Sequence, residues 1–219
     1  LHKLPQSAAD ARFVEPQEWL GACHPLVEQL GLAGALAAPG RGAGMLRSGP
    51  VCDAATLREF LRAYRDDVLL PLELPAICRA WQHAMRNQFR ELADFDRRLV
   101  DEPRFQPLAG ASQAVGQRHL RRFRPLHDVR FVQRYLAALD REEVHAWHTL
   151  VYGVTVWLFS LPLQQGLLGY GRQVTRGFIR AARSEAGLSE IEGLELFAEL
   201  ANPLAVSVPQ VLAATVKPG

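Results

Sequence analysis

The sequence predicts an all-α fold: a single-domain helical bundle with a central buried helix pair. Three observations lead there. Apolar residues recur at helical spacing, beginning with Leu57, Phe60, Leu61 and Tyr64 at i, i+3, i+4 and i+7. No segment alternates apolar and polar residues convincingly, and no Asn-Gly or Asp-Gly hairpin signal occurs. A run from Val144 to Gly171 carries no Asp, Glu, Lys or Arg, which suits the centre of a bundle.

Composition narrows the function classes. A chain of 219 residues with 22% charged residues is globular in character and long enough to bury a sizeable core. Its net charge of +2 predicts no nucleic-acid partner and no membrane partner. Cys23, Cys52 and Cys78 are odd in number and form no CxxC pair. That argues against a disulfide framework and a cysteine zinc site, and makes a reducing cytoplasm the simplest compartment. No basic-then-apolar leader pattern is visible.

Residues 1–50 are expected to form an arm and loop region. Residues 1–18 are mixed and polar, Trp19 to Leu36 suggests one or two short helices, and residues 37–50 are rich in Gly and Pro. That glycine-rich stretch lacks the GKS or GKT of a phosphate-binding loop. Residues 51–219 are expected to form the helical domain. Asp53 is a good N-cap for the first helix. Pro71 and Pro75 are expected to break the chain. Ile77, Trp81, Ala84, Met85, Leu92, Phe95 and Leu99 then stay in phase, predicting one long amphipathic helix. Pro103 and Pro107 interrupt again, and Ala109 to Phe123 and Asp128 to Leu139 predict two more helices.

The charge-free run is long enough to cross a membrane, but Pro162, Gln164 and Gln165 sit near its middle. A helix pair accounts for them better. The first member is expected from about Glu142 to Phe159. Ser160 would cap the second, with Pro162 in its first turn. Gly153 in the first member is tolerable if a neighbouring helix approaches closely there. In the next helix, Leu167, Tyr170, Val174, Phe178 and Ala181 form the apolar face. Arg172, Arg176, Arg180 and Arg183 form a stripe roughly opposite: a solvated face, a docking surface for an acidic partner or, less well supported because the rest of the chain is not basic, a helix lying on an anionic membrane or nucleic acid. Ser189 and Glu192 form a capping box for a helix through Leu194, Phe197, Ala198 and Leu200. Pro203 is expected to end it, leaving an apolar tail.

Little here points to catalysis. His145-x-x-His148 would set two imidazoles on one helical face, with Glu142 a turn earlier, a weak pattern for a metal site. Two core histidines satisfied by hydrogen bonds explain it better. Cys23-His24 is weaker still. No GxSxG, HExxH or P-loop occurs, and no cysteine stands beside an obvious base. The pattern favours a scaffold or adaptor over an enzyme, with no catalytic residue and no cofactor assigned.

Several stretches in order resemble the UreF family of urease accessory proteins, over about residues 51–204. "VCDAATLREFLRAYRDDVLLPLELPAICRAW" is similar to the family's opening helix pair. "ASQAVGQRHL" matches a family segment at Ala111, Ser112, Gly116 and Leu120. "HTLVYGVTVWLFSLPLQQGLLGY" matches another at His148, Gly153, Leu163, Leu167 and Tyr170. The family's N-terminal signature finds no counterpart before Val51, and Pro107 and Ala109 stand where the family has an E-x-R. Of its glutamine-containing motif near the end, "SEAGLSEIEGLEL" keeps only Leu188 and Gly193.

The resemblance implies an all-α fold, a homodimer, and a non-catalytic scaffold or regulator of a nickel-delivering GTPase in urease maturation. Nickel would be handled by the wider complex. Partners would be other urease accessory proteins including that GTPase, in the cytoplasm. The partner-facing candidates are Gly193 and Leu188, with the four arginines of the stripe added. Ser112, Gly116, His148, Gly153 and Tyr170 are family-matching structural positions. Two alternatives are a helical adaptor of the same fold serving a non-urease partner, and a metal-binding protein using His145 and His148.

Overall fold

The computed structural model describes residues 51–183 and 186–216. The expectations for residues 1–50, including the arm, the short helices, the glycine-rich loop and Cys23-His24, lie outside the described residues. Among the described residues all regular structure is helical, as the sequence predicts.

Helix α1, Ala54–Tyr64, starts at a reciprocal cap. Asp53 Oδ1 accepts from the Thr56 N–H at 2.8 Å, and Thr56 Oγ1 accepts from the Asp53 N–H at 3.0 Å. Its face Leu57, Phe60, Leu61 and Tyr64 is buried throughout. The expected break at Pro71 and Pro75 does not occur. The chain passes from α1 into a π-helical segment, Arg65–Glu73, and then into α2, Leu74–Met85. Pro71 lies inside the π segment. In an α-helix its ring would clash with the carbonyl four residues back, and the wider π turn, closed by Leu74 N–H to Leu69 O, relieves that clash. Pro75 sits in the first turn of α2, where the missing N–H does no harm.

The long amphipathic helix expected from Ile77 to Leu99 is instead two helices, α2 and α3, Phe89–Arg98. Asn87 adopts φ 53°, its N–H bonds to Ala84 O, and the Gln88 N–H reaches His83 O. That double bond pattern is a Schellman cap, and apolar phase across such a cap cannot distinguish one helix from two. After a short 3₁₀ turn at Gln106–Leu108 come α4, Ala109–Arg121, and α5, Arg130–Asp140. The same cap closes α5, with Glu142 at φ 58°, while α3 and α4 end in right-handed turns at Leu99 and Arg122.

Helix α6 is His148–Leu158, shorter than the expected Glu142–Phe159, because the Glu142 cap and a loop precede it. Ser160 does not cap the following helix. It takes φ 53° and closes α6, with the Leu161 N–H bonded to Val156 O. Helix α7, Leu163–Ala182, begins after Pro162. Helix α8, Glu190–Ala201, has the predicted Ser189–Glu192 capping box. The apolar tail after Pro203 is itself helical: α9, Leu204–Thr215, with Pro203 at its N-cap.

Two cores share the interior. The first gathers α1, α7, α8, α9 and one side of α2 and α6. The second gathers α3, α4, α5 and the other side of α2 and α6. The central buried pair is therefore α2 with α6, which pack against each other more extensively than any other two elements. The charge-free run supplies only one member, since α7 keeps an exposed arginine face.

Candidate functional site

The residues that carry the family resemblance converge on α6. A side-chain carbon on Gly116 would lie 1.9 Å from Ala146 O and 2.7 Å from the His148 N, so only glycine lets α4 approach the start of α6. One turn earlier, Ser112 Oγ accepts from the His148 N–H at 3.2 Å. Gly153 plays the same part on the opposite face, where an added carbon would meet Ile77 O at 2.5 Å. Tyr170 brings α7 against α6, its ring 5.8 Å from His148 and 5.0 Å from Tyr152. These five positions fix helix crossings. They are packing residues at the centre of the bundle and do not form a surface site.

Two buried carboxylates missed by the sequence reading belong to the same framework. Asp96 on α3 accepts from the His145 N–H at 2.6 Å, the Ala146 N–H at 2.9 Å and the Tyr135 hydroxyl at 2.9 Å. Its own carbonyl takes the Trp147 indole N–H. Burial raises the Asp96 carboxyl above its usual range, while the His145 and Tyr135 bonds pull it back. Asp96 thereby holds the loop before α6, where Ala146 is forced to φ 54°. Glu73, at the end of the π segment, accepts from the Tyr64 hydroxyl and lies beside Tyr170. Burial, with the Glu73 carboxylate adding to it, drives both phenols well above their ordinary value. A signal for Asp96 was present: it falls four residues after Leu92 and three before Leu99, on an apolar face.

The histidine pair does not survive as a shared face. His145 lies in the loop outside α6, while His148 is its first residue and 1% exposed. Among the described residues no group of three or more His, Cys, Asp or Glu could hold a metal ion.

The arginine stripe is exposed on α7, but its members differ. The Arg176 guanidinium stacks 4.8 Å above the Phe197 ring of α8. Arg183 reaches the Leu188 carbonyl across the α7–α8 turn. Among the described residues Arg172 and Arg180 pair with no carboxylate. Leu188 is buried in the first core, so it supports the turn and offers no contact surface. Gly193 is half-buried, and a side chain there would meet Ile179 Cγ2 at 3.5 Å, an ordinary contact.

The surface feature nearest to Gly193 is apolar. Ile191 and Leu194 on α8 are 69% and 62% exposed, and Val206 on α9 is 66% exposed. The α8 pair sits at i, i+3, while Leu196 and Leu200 at i, i+4 face the core. The helix is thus apolar on two sides, a pattern readable in the sequence once its boundaries are known. Glu199 ties α8 to α1, bonding Arg58 at 3.0 Å and Arg62 at 2.5 Å. These guanidiniums hold its carboxyl below the usual range. Glu190 to Thr215 is also the one described helical stretch long and apolar enough to cross a membrane by length and composition. Large apolar side chains left in solvent are the kind of surface that a protein partner can cover.

A family model described as UreF matches residues 51–201. The chain belongs to the UreF family, a family of urease accessory proteins and not of catalysts. No curated protein matches the chain.

Proposed function

We propose that this UreF-family chain is a non-catalytic scaffold of urease maturation that regulates a nickel-delivering GTPase and works as a homodimer in the cytoplasm. The single observation that carries the proposal is the exposed Ile191–Leu194 strip on α8 of a chain with that family membership. A scaffold acts only by binding one state of its partner better than another. It needs a surface that survives folding with apolar area unspent, and this strip provides one. Arg172 and Arg180 on the neighbouring α7 add charges that are not committed within the described residues, suited to an acidic rim on the partner. Nickel stays with the wider complex.

The test is co-purification of the full chain with the urease-maturation proteins of its own cell, with GDP, with GTP and without nucleotide. The native chain retains the GTPase in at least one nucleotide state, and Ile191→Gln with Leu194→Gln loses it while melting at the native temperature. No capture in any nucleotide state sinks the proposal. A second reading, a helical adaptor for a non-urease partner, rests on the altered stretch from Ser184 to Leu194, which keeps only Leu188 and Gly193 of the family motif. Capture of some other defined partner, lost in the same double variant, would favour it.

A further inference from the structure

The second core opens to solvent at a pocket of about 270 Å³. One wall is the junction of the π segment and α2, at Pro71 and Pro75. The floor is apolar: Leu72, Phe95, Leu99 and Phe105. The charged lining is Arg79, Arg98 and Arg104 against one carboxylate, Glu102. Glu102 is already engaged, bonding Arg104 at 2.8 Å. The Arg79 guanidinium lies 5.3 Å from the Phe95 ring centre. Among the described residues neither Arg79 nor Arg98 pairs with a carboxylate.

This chemistry selects its ligand. Guanidinium groups bind carboxylates as planar forks, and an apolar floor wants a leucine or an aromatic ring beside that carboxylate. The space falls below the roughly 300–1,000 Å³ of cofactor pockets. No Ser, Thr, Asn or Gln lines it, so a nucleobase or ribose would find no neutral polar side chain. We propose that the pocket receives an acidic, apolar-bearing peptide segment of a partner protein, its apolar side chain on the Leu72–Phe105 floor and its carboxylate on Arg79 and Arg98. The site belongs to the second core and the α8 strip to the first, so failure of one leaves the other standing.

Fluorescence polarisation of the full chain with a labelled Glu-Asp-Leu-Glu-Phe-Asp peptide tests it, beside a counterpart with lysine in place of each acid. The acidic peptide binds saturably and less tightly as salt rises. Arg98→Glu weakens it about tenfold. Glu102→Gln frees Arg104 and tightens it about threefold, a gain that loss of fold cannot imitate. The proposal is overturned by an absence of saturable binding, by equal binding of the lysine peptide, by native affinity in Arg98→Glu, or by displacement with equimolar inorganic phosphate.

Discussion

Helix α6 and the C-terminal pair α8–α9 are both rich in apolar residues and opposite in surroundings. Every residue of α6 from His148 to Val156 is buried, with core on both sides. In the most apolar window of Glu190–Thr215 only 28% is buried. By length and composition the second stretch alone could pass for a membrane helix, since α6 is only 11 residues long. What separates them is the neighbours. α6 meets α2 and α4 at glycines that admit close approach, whereas α8 lies at the margin of the first core and turns Ile191 and Leu194 outward. Apolar character spent inside specifies a fold, and apolar character left outside is available to a partner.

Substitutions can break or sharpen this contrast. The largest effect is expected from Gly153→Ala. The new carbon would lie 2.5 Å from Ile77 O and 2.8 Å from Ala80 Cβ, and a backbone carbonyl cannot swing aside. A loss of about 3 kcal/mol in urea denaturation is expected. A neutral outcome would mean that α2 and α6 are not packed as tightly as their glycine contact requires.

Next comes pH. His119 on α4 is held down to about 4 from 6.5 by burial, with the Arg122 charge adding to it. A base whose folded value is depressed binds fewer protons when folded. Its contribution is present above 6.5 and lost as pH falls through about 4. The native chain should lose on the order of 3 kcal/mol over that window from this group, and His119→Gln should not. Asp96, raised by burial, acts in the opposite sense, so the difference between the two stability curves isolates the imidazole.

Gly193→Ala probes the open side. Its new carbon meets only Ile179 Cγ2 at 3.5 Å, and helix propensity then favours alanine by about 0.5–1 kcal/mol. A rise in melting temperature is expected, against the fall for Gly153→Ala. The smallest effect belongs to Leu194→Gln, within about 0.5 kcal/mol of native in the same denaturation assay. A larger loss would show that the strip is structural after all.

Much of the bundle was legible because it rests on local rules. The Leu57–Tyr64 face, the Asp53 cap and the Ser189–Glu192 box each depend on residues within a turn or two of one another. The close approach at Gly153 was readable because a glycine in a buried helix needs a reason. Less legible were the junctions. Asn87, Glu142 and Ser160 all sit in left-handed caps, a conformation that their residue types do not announce as glycine does. Hence one helix was expected from Ile77 to Leu99, and Ser160 was assigned to the wrong helix end. Pro71 signals a break by local rules, but burial of Val68, Leu69 and Leu72 on either side carries the chain through it as a π turn.

The candidate site was harder still. Gly193 lies beside the apolar strip, but Leu188 points into the core and the four arginines divide among stacking, turn-bracing and uncommitted roles. Which apolar residues stay outside depends on which helices happen to lie alongside. By itself the sequence determined the helical class, the caps with local partners and the family, since these follow from spacing and residue type over short distances. Only the tertiary structure decided that α2 is the partner of α6, that Asp96 clasps the loop before it, and that α8 keeps two apolar side chains in solvent, because each depends on contacts between residues far apart in the chain.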